Sequence, residues 1–326
     1  MAYTRNTFII YDDQFQTGLE ESVAQNLALF NGSSKGAIVL KSEALQGDYS
    51  QGAMMLLPTD GDNHRDPNSV AAVSDIDLVQ GELVSVNICR RQGPFAKTLD
   101  AWAQIEADPG ALSILVGTWL GQLKAQQMVK SSISALVNAL LTQSSLTFDA
   151  TAETTKTLTT QNLAKGFAKM GDRAESITCL VMHSLDYYNL VDNQLGDKMD
   201  TIAGLIAYGG NAATLGRTVI VTDESSLITA VSGETTVRYI LGLQSSAAVI
   251  KDSAQSPLEY EVELAKANLI GRIQGEYTMQ LGLRGMAWDM TGGGANPNDA
   301  AIATGSNWTK VASSVKDLPG FVIKVN

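Results

Sequence analysis

The amino-acid sequence predicts an α+β protein organised around one long helix, and three observations carry that expectation. From Asp108 to Leu141 the large apolar residues recur at steps of three and four. Before that stretch, two strand-like segments flank a polar insertion rich in Gly, Pro and Asp. After Ser176 the chain changes to a short buried strand, a helix and then a succession of strands. In the long segment Leu112, Leu115, Val116, Trp119, Leu120 and Leu123 fall on one face, continued by Val129, Ile133, Leu136, Val137 and Leu140. Asp108 is placed to cap the helix and Pro109 suits its first turn. About 30 residues at 1.5 Å each give roughly 45 Å, longer than the usual globular helix. Gln122, Lys124, Gln126, Gln127 and Lys130 interrupt the apolar run, which argues against a membrane span. A single unrepeated block also argues against a sustained coiled-coil seam. The expectation is a spine on which other layers pack.

In chain order, residues 1–35 read as an arm. TFII suggests a short strand, and Leu19, Val23, Leu27 and Phe30 mark a short amphipathic helix from about Thr17, broken by NGSSKG at Asn31–Gly36. A helix this short is marginal alone, so its apolar face must dock on its own core or on a neighbouring subunit. Ile38, Val39 and Leu40 begin a strand leading into KSEALQGDYSQGAMMLLP and the turn-rich run Thr59–Ser69. A second strand follows at Glu82–Arg90, where Val84, Val86 and Ile88 alternate with polar residues. Together they suggest a long projecting hairpin, against an ordinary sheet with a flexible insertion. Its exposed edges would invite aggregation unless another chain covers them, which hints at assembly.

GPFAKTLDAWAQIEADPG is expected to hold a short helix with Leu99, Trp102 and Ile105 on one side, and TQNLAKGFAKMGD a helix capped by Thr160. After the spine, SLTFDATAETTKTLTTQNL is a Thr-rich connection that includes a strand or loop. ITCLVMH reads as a buried strand, and SLDYYNLVDNQL as a helix with Ser184 as its cap. Further strands are expected at Thr218–Thr222, in VRYILGLQSSAAVI and in EYEVELA. NLIGRIQGEYTMQLGLRGMAWD fits strand or helix, its second half favouring strand, and the tail closes with a strand at Gly320–Val325. No repeat of 20–50 residues is present.

Composition narrows the function classes. At 326 residues the chain suits one large domain or two modest ones, and 44% hydrophobic with 17% charged residues marks an ordered protein. A formal charge of −11 makes sequence-independent phosphate binding a poor candidate for the main activity. Cys89 and Cys179 form no CxxC pair, so neither a zinc site nor a disulfide framework is supported, and both read as buried small residues in a reducing cytoplasm. The N-terminus lacks a long apolar run, so no secretory signal is expected.

Candidate chemistry is sparse. His64 lies in the polar loop and His183 follows a strand; His183, Ser184 and Asp186 could be imagined as a relay, but such close neighbours rarely face one another. A helix-start hydrogen bond is the expected role of His183. Gly292–Gly294 match neither a phosphate loop nor a dinucleotide fingerprint and read as a loop. Asp12, Asp13, Asp60, Asp62 and Asp66 offer oxygen ligands, but DGDNHRD lacks the spacing and closing Glu of a calcium loop and reads as a solvated turn. The sequence therefore assigns no catalytic, cofactor-binding or metal residue.

The order of arm, hairpin, spine and α/β segment resembles the major capsid proteins of tailed bacteriophages, whose Hong Kong 97-type fold is shared with encapsulin shells. The resemblance lies in KGAIVLKSEALQGDY with SVAAVSDIDLVQGELVSVNICRRQGPFAKTLDAW, in LVMHSLDYYNLVDNQL, in LGRTVIVTDE, and in the ending from GMAWDMTGGG onward. It implies an α+β Hong Kong 97-like capsid fold: arm 1–35, extended loop 36–94, peripheral domain 95–175 with spine helix 108–141, axial domain 176–282, and a return to the peripheral domain at 283–326. It implies a structural virion protein, not an enzyme, assembled in the host bacterial cytoplasm into hexamers and pentamers of an icosahedral head around double-stranded DNA. The loop would lie over an adjacent subunit. Implied partners are other copies of the chain, a separate scaffolding protein (the strand region begins near residue 36), a portal protein, a decoration protein and DNA held by weak non-specific contact, with no membrane. Some such proteins crosslink Lys to Asn covalently; Lys41 lies near the loop's start, where a lysine is ordinary. An acidic subunit suits a wall that holds nucleic acid without gripping it. Two other functions fit less well: an encapsulin-type compartment, and a soluble α/β hydrolase using His183, which His183→Ala would expose. Trimming residues 45–75 should abolish assembly and leave a folded subunit.

Overall fold

A computed structural model describes residues 19–21, 23–25, 30–56, 62, 64–76, 79–101, 109–201, 216–230, 236–253, 257–264 and 267–326. The first strands are β1 (Ile38–Ser42), β2 (Tyr49–Leu56) and β3 (Val79–Thr98), followed by the spine helix α1 (Pro109–Leu141) and β4 (Thr147–Asp149). Next come α2 (Thr160–Ala168), β5 (Ile177–Met182), α3 (Ser184–Thr201), β6 (Thr218–Val221), β7 (Ile228–Ala230) and β8 (Thr236–Gln244). The chain continues through β9 (Ala248–Asp252), β10 (Leu258–Glu263), β11 (Ile270–Leu283) and β12 (Met286–Trp288) to α4 (Asp299–Ile302), β13 (Trp308–Lys310) and β14 (Gly320–Val325).

Two six-stranded sheets share the spine. In the first the order is β1-β9-β11-β3-β2, with β10 also on β11; in the second it is β4-β14-β8-β5-β6, with β7 on β8. Helix α1 packs against β9 and β11 of the first sheet and β14 of the second. One contiguous apolar core results, with Leu120, Met128, Ile133, Leu136 and Leu140 of the helix inside it. The helix begins one residue after the expected start; Asp108 lies outside the described residues. Among the described residues no helix is long and apolar enough to cross a membrane.

The arm's apolar face docks on the subunit's own core, Leu19 being 2% exposed and Val23 5%, with Phe30 against the same cluster. TFII, Leu27, Asp12 and Asp13 lie outside the described residues. Asn31 fixes the arm to β1, its side-chain oxygen accepting from Leu40 N and its amide donating to Leu40 O, both at 2.8 Å.

Several expectations are corrected. The segment Ile38–Leu40 is not a leg of the hairpin: β1 pairs in parallel with β9, from Ile38↔Ala248 to Ser42↔Asp252. The hairpin is β2 against β3, from Tyr49↔Val86 to Leu56↔Val79. Strand β3 runs far beyond Arg90, because its second half pairs with β11 as far as Thr98↔Ile270. The expected helix of this region begins only at Leu99; Trp102 and Ile105 lie outside the described residues. Phe95 stays extended and sets its ring edge-on to Trp119 of the spine, 4.9 Å between centroids.

Strand β11 is strand throughout. Its Gly271 and Gly275 sit where β10 side chains cross: a Cβ there would come within 2.7 Å of Tyr260 Oη and 2.5 Å of Leu258 Cδ1. The α2 cap is Thr159, whose Oγ1 accepts from Asn162 N, so Thr160 is the first helical residue. Cys89 is exposed on β3, whereas Cys179 is buried as expected.

The tail is tied back to the spine. Trp288 of β12 faces Trp308 of β13, rings edge-on at 4.9 Å, and both indoles are buried. At the turn before β13 the backbone touches the spine so closely that a Cβ on Gly305 would lie 2.5 Å from Asn138 O. Gly305→Ala is therefore expected to cost about 1–3 kcal/mol, since helix backbone rather than a flexible side chain must give way. A thermal or urea midpoint close to wild type would contradict this.

Candidate assembly surface

The described residues contain no constellation suited to catalysis. His183 caps α3 from the position before Ser184: its Nδ1 accepts from Leu185 N at 3.2 Å, displacing Ser184 from the expected cap role. Its Nε2 lies 3.4 Å from Asp223 Oδ1, a carboxylate that also accepts from Ser184 N at 3.3 Å. The hydrogen bonds from Ser184 hold the Asp223 carboxyl below its ordinary range. Asp186 points the other way, fully buried, with Arg238 Nε donating to it at 2.8 Å. His183 thus meets Asp223 rather than Asp186, and no relay forms.

The remaining candidates are also structural. His64 and Asp62 are exposed, and Asp66 Oδ1 accepts from Asn68 N in a local turn; Asp60 lies outside the described residues. No group of His, Cys, Asp or Glu among the described residues could hold a metal ion. Gly292–Gly294 wrap Trp288: its Nε1 donates to Gly294 O at 3.0 Å, and a side chain on Gly293 would collide with the indole. Lys41 is exposed on β1.

Desolvation separates the thiols. Burial pushes the Cys179 thiol up to about 11, while exposed Cys89 lies on the β3 surface with its backbone N–H held by Asn296 Oδ1 at 2.7 Å. A chromogenic disulfide reagent at neutral pH should titrate one thiol in the folded protein and two after denaturation. Cys89→Ser should remove the fast one; two fast thiols would contradict the buried placement of Cys179.

What the molecule does expose is apolar surface on projecting elements. Beyond Leu56 and Val79 the hairpin carries a tip whose described residues are all exposed, Val70 at 101% and Val73 at 87%, with Ile76 and Met55 also open. Strand β2 ends the first sheet, and among the described residues nothing pairs with its outer edge. On the spine, Ile114, Leu115 and Trp119 face outward near the helix start. Exposed apolar groups gathered on a protrusion and on a helix face suit contact with another protein surface.

Polar ties hold these elements in place. Lys124 Nζ meets Asp252 Oδ2 at 2.7 Å between α1 and β9, and Arg90 of β3 pairs with Asp299 of α4. Burial opposes both charges of the first pair, pushing the Asp252 carboxyl up and the Lys124 ammonium down against their mutual attraction. Sequence reasoning missed these ties. The available signal was Lys124 falling in register with Leu120 and Met128, on a face otherwise buried.

Comparison with known proteins agrees with this picture. The family model described as Gp13-like, major capsid protein 13-like, matches residues 7–322. No curated protein matches. Among solved structures, one from Microbacterium phage Oxtober96 is similar at TM-score 0.54 and 11% identity, covering 87% of this chain and 88% of that one. The Cyanophage Pam1 capsid asymmetric unit gives 0.52 and 11%, covering 87% and 91%. The capsid of Ralstonia phage GP4 gives 0.51 and 9%, covering 90% and 87%. At such identities the likeness shows the fold.

Proposed function

Because the chain belongs to the Gp13-like family of major capsid proteins, we propose that it assembles into hexamers and pentamers that close an icosahedral phage head around double-stranded DNA. It is a structural component of the virion with a Hong Kong 97-like α+β fold, and not an enzyme. The observation that carries the assembly reading is the β2–β3 hairpin, whose exposed tip, with Val70, Val73 and Ile76 among polar residues, no other part of the described subunit covers. A protrusion on one copy and a receiving surface elsewhere on the next make a heterologous contact, which closes into rings when the rotation allows. Many such contacts in a closed shell add up without any one being strong.

We assign residues 1–35 to an arm, 36–94 to the extended loop, 95–175 to the peripheral domain, 176–282 to the axial domain and 283–326 to the return. These bounds rest on the family; β3 runs unbroken out of the hairpin into the first sheet, which also takes β9, β10 and β11 from residues 176–282. Assembly in the host cytoplasm, with a scaffolding protein, a portal protein and a decoration protein as partners, rests on the family alone. The net charge of −11 favours only weak, non-specific contact with packaged DNA.

The test is expression alone and with a candidate scaffold, imaged by electron microscopy. Scaffold-dependent closed shells built of six- and five-fold capsomers are expected. Shells that close alone around a host enzyme would favour a cellular compartment instead, and capsomers of another symmetry would contradict the proposal.

A further inference from the structure

The spine helix is held differently along its two halves. Through its middle, positions 120, 124, 127 and 131 form one stripe, spaced four, three and four residues apart, facing the loop-bearing sheet. Gln92 Nε2 of β3 donates to Leu120 O at 2.8 Å. Lys124 pairs with Asp252 of β9 at 2.7 Å, the side chains 2% and 4% exposed, and its Nζ lies 5.1 Å from the centre of the Tyr277 ring of β11. Arg90 Nη2 of β3 donates to Ser131 Oγ at 3.3 Å. In the amide orientation that satisfies both groups, Gln127 Oε1 accepts from the same guanidinium at 3.1 and 3.2 Å. Two strands of one sheet therefore grip the helix through polar groups, and a third, β11, sets the Tyr277 ring beside Lys124. Beyond Ser132 the buried positions are apolar: Ile133, Ala135, Leu136, Val137, Ala139 and Leu140.

We propose that this polar seam is a register pin: it fixes where and at what angle the loop-bearing sheet sits on the spine, and contributes uniqueness of geometry rather than net stability. A buried ion pair loses hydration on both sides, and an apolar pair of similar volume is often as stable or more so. Asp252 Oδ1 has no partner, so the pair is not fully compensated. Burial also works against both charged forms. Apolar contacts tolerate a rotated or shifted helix; an ion pair at 2.7 Å does not. A slip of one helical turn is about 5.4 Å. Strand β3 carries both the grip on the helix, at Arg90 and Gln92, and the hairpin leg, so an error in seating reaches the tip undiminished. The consequence for shells rests on the capsid reading; the consequence for the subunit does not.

The experiment replaces both charges, Lys124→Met with Asp252→Leu, and compares the double with each single variant. Spin labels at Gln80→Cys on the hairpin and Ser145→Cys beyond the spine, in a Cys89→Ser background, report the seating of sheet on helix. Lys124→Met alone should lower Tm by about 5–10 °C, because the buried Asp252 carboxylate loses the ammonium it meets at 2.7 Å. The double variant should melt within about 2 °C of wild type or above it. Its label distances should broaden or split, and its particles should be of mixed shape. Wild-type-like distances in the double variant, or a Tm as low as that of Lys124→Met, would overturn the pin. Should wild type itself form no particles, the capsid reading fails, and the label distances still decide the pin.

Discussion

Excising residues 57–78 and joining Leu56 to Val79 through an Asn-Gly turn is expected to leave a folded subunit that forms no shells. Leu56 and Val79 are register partners at the end of the hairpin, so a two-residue turn of the type that matches strand twist can close it there. The described residues of the excised stretch, 62 and 64–76, are exposed, and their hydrogen bonds are local, such as Asp66 with Asn68 and Ser69 with Ala71. The described residues of the stretch add nothing to the core, and Tm should stay within about 2 °C, as for a surface change of less than about 0.5 kcal/mol. A cut of 45–75 is less discriminating, because it also removes β2, whose Tyr49 and Met54 pack on the core. Shells of normal appearance from the 57–78 variant would eliminate the tip as the contact between copies.

The second large effect is expected at Asp186. Replacing it with Ala leaves Arg238, 8% exposed, without the carboxylate that its Nε meets at 2.8 Å. Removing one partner of a buried pair typically costs about 3–5 kcal/mol, a large share of a domain's net stability. Burial already pushes the Asp186 carboxyl up despite Arg238, so the pair offsets desolvation rather than exceeding it. Asp186→Leu combined with Arg238→Met should accordingly recover most of the loss. A urea midpoint for Asp186→Ala near wild type, or a double variant weaker than the single, would show that the pair is not what ties α3 to β8.

Periodicity made parts of this fold legible. The spine repeats its apolar face along its 33 residues, so its bounds were readable to one residue, and the closing strand Gly320–Val325 was equally clear. Pairing was not legible, because a strand pattern carries no address. Ile38–Ser42 finds its parallel partner more than two hundred residues away at Ala248–Asp252. The segment GPFAKTLDAWAQIEADPG suggests a short helix, yet β11 and the Phe95–Trp119 contact keep its first residues, Gly93–Thr98, extended. Polar residues misled in both directions. Lys124 interrupts the apolar run of the spine in sequence, yet it is buried against Asp252. Asp186 was weighed as part of a relay and serves instead as the anchor of Arg238. The proposed contact surface could be anticipated only as a hairpin with edges to cover; the exposure of Val70, Val73 and Ile76 became evident once nothing among the described residues packed on them.

The most direct measurement is sedimentation velocity on the purified wild-type chain, with negative-stain images of each fraction. Self-assembly predicts a fast-sedimenting population seen as closed shells, tubes or capsomer rings, in equilibrium with or derived from the subunit. A single slow species, monomer or dimer at every concentration and with every scaffold offered, would contradict the account.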